Sequence, residues 1–285
     1  MPVDPNPTVR RRMLGAELHR LREAAELTRE DAGARLECHG SKISRIENGR
    51  SGLRPRDLRD LLDLYGVVEV RERDALLALA RDSGKKGWWA TYGDIISDRY
   101  ADFIGLEHDA ASIGGFEPQL IHGLLQTEEY ARAVTSIAPG RDSLEEVETY
   151  VAVRMGRQKR LSDERPLHLW VVLAEGALRQ QVDSPEIMRK QLHHLMDTAS
   201  LPNVDLQVLP YAAGEHAGMD GAFSIMRLPE PAALDVVYLE NLTGWLYIEE
   251  DQHRARYERA FDELRATAMS RKDSVALISD IAKEM

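Results

Sequence analysis

The chain has 285 residues, a net charge of −11 and a hydrophobic fraction of 43%. This length is enough for two domains, and the hydrophobic fraction is ordinary for a globular protein. The single cysteine, Cys38, excludes an internal disulfide bond, and no apolar run is long enough to cross a membrane. The first residues also lack the apolar core of a signal peptide, so we expect a cytoplasmic protein without membrane association.

The charge is divided unevenly along the chain. Residues 1–59 contain 13 Lys/Arg and 9 Asp/Glu, which gives +4, and the other residues contain 24 and 39, which gives −15. A basic segment attracts the phosphates of nucleic acid, whereas an acidic segment is repelled by them. We therefore expect nucleic-acid binding only near the N-terminus, with the acidic remainder held away from the duplex.

Residues 1–83 predict a small all-α domain of five helices. Apolar residues at helical spacing between 14 and 25 predict the first helix. A capping-box-like sequence that starts at Thr28 predicts the beginning of the second helix. Pro55 is suited to begin the fourth helix, and the apolar pattern at 69–82 indicates the fifth.

The second and third predicted helices have the spacing of a helix-turn-helix. A polar turn at 37–40 joins them, and Gly33 leaves room for a second helix to cross closely. The third helix is expected at 41–48, with Ile43 and Ile46 facing the core. Such a short helix fits the major groove of DNA, where its free polar side chains can reach base edges. The candidates for base contacts are Ser41, Lys42, Ser44 and Arg45.

Arginines flank this motif on both sides. Some begin the first helix, and others lie in the Gly- and Pro-containing loop that follows the third helix. Loops beside a recognition helix commonly contact the DNA backbone, although the N-terminal arginines could equally be a solvated helix end. The candidates for phosphate contacts are Arg10, Arg11, Arg12, Arg50, Arg54 and Arg56.

Residues 84–97 predict a linker between two domains, because the sequence SGKKG at 83–87 favours irregular structure. Trp88 and Trp89 follow at once, and two adjacent tryptophans cannot both face one core in a regular element. We expect them to fasten the linker to the second domain. The alternative is an exposed contact point for a ligand or a partner protein.

Residues 98–285 predict an α+β domain without internal repeats. Short Gly- or Pro-containing turns separate several of its strands, which favours a mainly antiparallel sheet. Thr127 and Ser184 are suited to cap two of its helices. The strands are expected at 111–116, 167–173, 204–208, 222–228, 234–240 and 245–248, and further helices at 99–111, 144–161, 251–268 and 270–283.

The loop 214–221 contains the residues that come nearest to a chemical site: Glu215, His216 and Asp220. A histidine and two carboxylates can bind a metal ion or perform acid–base catalysis, but this spacing matches no standard metal motif. The three glycines of the loop explain it equally well as a wide connection between strands. No phosphate-binding glycine loop is recognisable either. We expect no enzyme activity, metal or cofactor, and retain the three residues as candidates for a ligand or partner contact.

Residues 27–49 resemble the helix-turn-helix of the XRE (phage-repressor-like) family, and ISRIENG at 43–49 is the most specific run. The resemblance implies that the third helix is the recognition helix. It also implies that Glu47 pairs with Arg22 on the first helix, as a structural salt bridge rather than a DNA contact.

Two positions depart from the family pattern. The family often has Gln where Arg29 stands, so we expect Arg29 to contact phosphate rather than bases. The most similar sequences usually have Ser-Pro at the positions of His39 and Gly40. This replacement is expected to remove a helix cap and to loosen the turn.

Four runs in the second region resemble the C-terminal domain that actinobacterial XRE regulators carry, of which the WhiJ-type developmental regulators are examples. With the helix-turn-helix, this resemblance covers nearly the whole chain. It implies transcriptional control and a small acidic partner protein encoded nearby, in an antitoxin-like arrangement. The four runs are GLLQTEEYA at 123–131, RQ at 157–158, GEHAGMDGAF at 214–223 and VVYLE at 236–240.

Two functions follow from these observations. The first is a sequence-specific repressor that binds a pseudo-palindromic operator in double-stranded DNA as a homodimer, with a C-terminal domain that senses a partner protein or a small ligand. The second is an antitoxin-like interaction module, for which DNA binding is only autoregulatory. A ligand that changes operator affinity would favour the first, and a small protein that co-purifies would favour the second.

Overall fold

The computed structural model describes residues 9–82, 87–138, 143–229, 235–242 and 244–285. These residues form two compact units. The first runs to Asp109 and includes the segment that begins at Leu228, and the second comprises Ala110–Arg227 and Asp235–Met285. Residues 83–86 of the predicted linker region and residue 234 of a predicted strand lie outside the described residues. No helix in the described ranges is long and apolar enough to cross a membrane.

The N-terminal unit is helical, and five helices precede residue 83 as predicted. Their apolar faces meet in one core, to which each of α1, α3, α4 and α5 contributes fully buried side chains such as Leu18, Ile43, Leu58 and Leu76. The helices are α1 (Val9–Ala24), α2 (Arg29–Arg35), α3 (Gly40–Glu47), α4 (Pro55–Leu64) and α5 (Val70–Asp82).

Local sequence signals account for where these helices begin. The Thr28 side chain accepts a hydrogen bond from the Asp31 amide at 3.1 Å, and the Asp31 side chain accepts one from the Thr28 amide at 2.9 Å. This is the capping box that the sequence indicated. Pro55 is the first residue of α4, where its missing N–H leaves no hydrogen bond unmade.

A sixth helix, α6 (Asp98–Asp109), also belongs to the N-terminal unit, although the sequence assigned it to the second domain. Trp89 is buried, and its ring centroid lies 5.6 Å from that of His108 on α6. Arg10 of α1 forms an ion pair with Asp109 and also donates to the Gly105 carbonyl at 3.4 Å. Trp89 therefore packs on α6, which lies within the second domain predicted at 98–285 but in the N-terminal compact unit of the structure.

The second unit is built around a six-stranded sheet with the strand order β3-β2-β1-β4-β5-β6. β1 is parallel to β2, and β2 is parallel to β3, whereas β4 is antiparallel to β1 and to β5, and β5 to β6. The strands are β1 (Ser112–Glu117), β2 (His168–Ala174), β3 (Val204–Leu209), β4 (Phe223–Arg227), β5 (Val236–Asn241) and β6 (Gly244–Ile248).

The sheet is mixed, so the expectation of a mainly antiparallel sheet is only partly right. Short connections do produce the antiparallel strands β5 and β6. The chain between β1 and β2, however, passes through α7 (Glu128–Ser136) and α8 (Leu144–Gln158). Between β2 and β3 it passes through α9 (Glu175–Arg179) and α10 (Pro185–Thr198). Helical crossovers return the chain to the same end of the sheet, which makes the joined strands parallel.

Two helices at the C-terminus complete the unit: α11 (Asp251–Thr267) and α12 (Arg271–Glu284). Phe261 and Leu264 of α11 are buried in a core with apolar residues of β1, β2, β4 and β5. Gly114 of β1 permits this packing, because a Cβ atom there would lie 2.6 Å from the Phe261 ring. Gly114, although it lies in the middle of a strand, thus has a packing reason.

Candidate nucleic-acid interface

The helix-turn-helix consists of α2, the turn 36–39 and α3. The turn lies directly against α2, since a Cβ atom on Gly33 would come within 2.5 Å of the Cys38 carbonyl oxygen. Ile43 and Ile46 are buried as predicted, which orients α3. His39 is the residue that precedes α3, and its side chain makes no capping hydrogen bond.

The first helix fixes the position of α3 by direct backbone contact. A Cβ atom on Gly15 of α1 would lie 2.4 Å from the Glu47 carbonyl oxygen and 2.5 Å from that of Ile46. Any larger residue at position 15 would push the C-terminal end of α3 away. Gly15 was not among the residues predicted from the sequence, although a glycine inside an apolar helical pattern is a signal of close packing.

A buried carboxylate joins the three helices. Arg22 Nε donates to Glu47 Oε1 at 2.6 Å, and Arg29 Nε donates to Glu47 Oε2 at 2.9 Å. The side chains of Glu47 and Arg22 are only 3% and 5% exposed. Arg22 also donates to the Leu27 carbonyl at 2.7 Å, so α1 is tied to the start of α2 as well as to the end of α3.

The electrostatics of this cluster favour the ionised forms. Burial disfavours the charged Glu47 carboxylate, but the hydrogen bonds from Arg22 and Arg29 outweigh burial and hold its pKa below the usual range. The hydrogen bond to Glu47 likewise raises the pKa of Arg22 well above its ordinary value, against the effect of burial. The cluster is therefore a charged internal brace behind α3.

The outward face of α3 carries the predicted base-reading residues. Ser41, Lys42 and Arg45 are exposed, and Ser44 is half-buried. Asn48 Nδ2 donates to the Ser44 carbonyl at 2.6 Å and lies 3.4 Å from its hydroxyl oxygen, so Ser44 is engaged within its own helix. No ion pair links Lys42 or Arg45 to another residue of the described ranges.

The predicted phosphate contacts fall into two groups. Arg50 and Arg54 are exposed in the loop after α3, and within the described part of the chain neither has an acidic partner. The amide of Arg50 donates to the Arg45 carbonyl at 2.7 Å, which folds this loop back onto the last turn of α3. The arginines of the second group interact with other groups of the protein. Arg10 pairs with Asp109, and Arg29 pairs with Glu47. Arg11 and Arg12 are half-buried and also take part in interactions within the protein.

The remaining candidates are not brought together with these residues. Trp88 is 39% exposed, and its ring meets those of Trp89 and Tyr92 edge-on at 5.8 and 6.4 Å. In the loop 214–221 of the second unit, the His216 ring packs on Phe116 at 5.4 Å, and its Nδ1 accepts a hydrogen bond from the Gly218 amide.

Glu215 and Asp220 of the same loop are exposed. Among the described residues, no group of three His, Cys, Asp or Glu side chains could hold a metal ion. Gly218 has a packing reason, because a Cβ atom there would lie 2.4 Å from the Phe116 ring. In this loop the structure shows packing contacts rather than a convergence of ligand groups.

A short helix with exposed cations, held in place by a buried brace, defines a helix-turn-helix protein, and residues 13–76 match the family model of a helix-turn-helix domain. Such a domain indicates a DNA-binding regulator. Residues 100–280 match the model described as "Domain of unknown function (DUF5753)", and the chain belongs to this family. No curated protein and no solved structure matches the chain.

Proposed function

We propose that this protein is a sequence-specific transcriptional repressor that binds double-stranded operator DNA through α3. The observation that carries the proposal is the pair of exposed cations Lys42 and Arg45 on a helix whose inner side is fixed by Glu47. An exposed arginine or lysine without an ion pair can enter the major groove with little loss of free energy, because no interaction within the protein has to be broken. The buried ion pairs of Glu47 limit the orientations that α3 can adopt. The protein works in the cytoplasm by binding, not by catalysis.

The proposed DNA contacts are of two kinds: contacts to base edges, which give sequence preference, and contacts to phosphates, which position the protein. Arg45 and Lys42 suit the acceptor atoms of guanine, with Ser41 as a further base contact and Ser44 limited by its bonds to Asn48. Arg50 and Arg54, in the loop after α3, bind phosphates and fix the register of the protein on the duplex. Arg29 serves two purposes: it supports Glu47, and its side chain, 43% exposed, retains surface for a phosphate.

A single short helix reads only a few base pairs. We therefore propose a homodimer on a pseudo-palindromic operator, with half-sites separated by about one helical turn, roughly 34 Å. The acidic C-terminal domain senses a small ligand or a partner protein, as the resemblance to WhiJ-type antitoxin-like regulators implies. Its negative charge keeps this domain off the phosphate backbone.

Fluorescence anisotropy with labelled DNA from the protein's own promoter region tests the proposal. Binding should survive scrambled competitor DNA and should weaken steeply as salt is raised, because phosphate contacts release counterions. Arg259→Ala on the exposed side of α11 is the charge-matched control for Arg45→Ala, because it removes the same charge outside the helix-turn-helix, and it should bind as the wild type does.

Loss of binding in scrambled competitor would contradict sequence-specific regulation. Binding that appears only when a small co-purifying protein is added would favour the antitoxin-like module, with DNA binding as autoregulation.

A further inference from the structure

A cleft of about 1060 Å³ lies in the second unit, and none of the candidate residues named from the sequence lines it. Three of its walls are the segments that follow the parallel strands: residues 118–120 after β1, residues 176–183 after β2, and Tyr211 after β3. The fourth wall is formed by α7 and the start of α8. Ligands of sheets with parallel strands bind outside the carboxyl ends of those strands, which is the place that this cleft occupies.

The lining of the cleft includes large apolar side chains that are exposed to solvent. Leu120, Ile137 and Leu144 are 42%, 82% and 75% exposed, and Val182 and Ile187 contribute further apolar surface. Single exposed apolar residues are common, but several around one concavity mark a binding site. The wall residues thus favour a ligand that is mainly apolar.

The charged side chains of the cleft disfavour an anionic ligand, because neither arginine is left without carboxylate partners. Two are basic, Arg132 and Arg179, and two are acidic, Glu129 and Asp183. Each arginine already lies between two carboxylates. Arg132 pairs with Glu128 and Glu148, both at 2.6 Å, and Arg179 pairs with Glu175 at 2.7 Å and Glu284 at 2.8 Å.

Uncharged polar groups complete the lining. Gln119, Gln180 and Tyr211 are exposed and supply amide and hydroxyl groups. These groups can donate to a carbonyl or accept from a hydroxyl without the desolvation cost of an ion. The volume is slightly above the range of small-molecule pockets, which span about 300–1,000 Å³.

We propose that this cleft binds an uncharged, mainly apolar small molecule that carries carbonyl or hydroxyl groups. This inference rests on the proposed function and names the class of ligand that the C-terminal domain senses. A partner protein would instead need a surface of about 800 Å² on each side, most of it outside a concavity.

The test is a fluorescence titration of the full chain with Nile red, an uncharged apolar dye, beside the anionic dye anilinonaphthalene sulfonate. Nile red should bind saturably with one molecule per chain and more tightly than the anionic dye. Leu144→Asp places a carboxylate in the cleft and should weaken Nile red binding by at least about tenfold. Leu144 is the first residue of α8, where an acidic side chain suits the helix dipole, so the fold is retained.

Two further variants make the result specific. Ala133→Trp fills the cleft from α7 without adding a charge and should weaken Nile red binding to a similar extent. The matched control is Met219→Asp, which changes a side chain that is 73% exposed and lies outside the cleft, and it should leave binding unchanged.

Equal Nile red affinity in the wild type, Leu144→Asp and Ala133→Trp would overturn the inference, as would preference for the anionic dye. A polypeptide that co-purifies with the wild type and is lost in Leu144→Asp, while Nile red binding is unaffected, would assign the cleft to a partner protein instead. Operator binding is measured on the same samples. DNA binding without dye binding overturns this inference alone, and dye binding without DNA binding overturns the proposed function alone.

Discussion

At the scale of the residue, Glu47 has the most demanding environment in the helix-turn-helix. Its carboxylate is buried and depends on Arg22 and Arg29 for its hydrogen bonds. A buried ion pair adds little net stability compared with apolar packing, but removal of one partner leaves an uncompensated charge. The pair therefore specifies how α1 and α3 meet, and its disruption should be costly.

Arg22→Ala should lower the free energy of unfolding by about 3 kcal/mol, because it leaves the Glu47 carboxylate buried without its main donor. Urea denaturation followed by circular dichroism measures the change. The matched control is Arg35→Ala, whose ion pair with Asp60 is exposed, and it should cost less than about 1 kcal/mol. Similar losses in the two variants would rule out the brace.

The pH dependence of stability should also depend on Glu47. Because its pKa is lower in the folded protein than in the unfolded chain, Glu47 stabilises the fold above its unfolded pKa of about 4.3, and this contribution is lost as the pH falls through the folded value. Glu47→Gln should be less stable than the wild type at neutral pH, and the difference should shrink under acid conditions. A difference that stays constant in urea titrations at neutral and acid pH would contradict this assignment.

Arg45→Ala should relax the sequence preference of DNA binding and cost about 1–3 kcal/mol on the cognate operator. The reason is that an arginine in the major groove makes bidentate hydrogen bonds to guanine. Anisotropy titrations on cognate and scrambled duplexes measure both effects. Equal losses on the two duplexes would show that Arg45 contacts only the backbone.

At the scale of the element, α2 and α3 differ in how they begin. α2 has the complete capping box of Thr28 and Asp31. α3 starts directly after His39, whose side chain makes no capping hydrogen bond. The backbone of His39 is extended, with φ −73° and ψ 149°, which is the conformation that a capping serine adopts. α3 therefore has the weaker N-terminus of the two.

His39→Ser should raise the stability of the helix-turn-helix by about 0.5–1 kcal/mol, because the serine oxygen can accept from a free amide of the first turn of α3. Thr28→Ala is the reciprocal control on α2 and should lower stability by about 1 kcal/mol. Thermal unfolding of both variants provides the comparison. A destabilised His39→Ser variant would show that the histidine side chain has a packing role.

At the scale of the whole molecule, the N-terminal unit extends further than the helix-turn-helix. The burial of Trp89 against α6 and the ion pair of Arg10 with Asp109 add residues 88–109 to that unit. The boundary between the two compact units falls after α6, whereas the family match at residues 100–280 begins within α6, so the domain boundary predicted within 84–97 stays a prediction.

The free energy of unfolding of a fragment of residues 1–109 should exceed that of a fragment of residues 1–83 by at least about 1–2 kcal/mol, because the longer fragment buries more apolar surface. Removal of α6 exposes the part of α1 that contacts it and takes away the partner of Arg10. Urea unfolding of the two fragments measures the difference, with Trp89→Ala in the longer fragment as a control that removes only the indole. Equal stability of the two fragments would place α6 outside the N-terminal unit.

Several features followed from the sequence because they depend on neighbouring residues. The capping box at Thr28, the start of α4 at Pro55 and the inward position of Ile43 and Ile46 are set by contacts within one or two helical turns. The same holds for the helix-turn-helix itself, whose spacing is a local pattern. The family match at residues 13–76 agrees with that interpretation.

Other features were decided only by the tertiary structure, because they join residues that are far apart in the chain. The parallel pairing of β1, β2 and β3 depends on how the crossover helices pack, so it cannot be predicted from the sequence of any single strand. The second bond to Glu47, from Arg29, has no sequence signal for the same reason. The cleft is formed by segments that follow three different strands and that lie far apart in the sequence. Its lining is therefore determined by the fold.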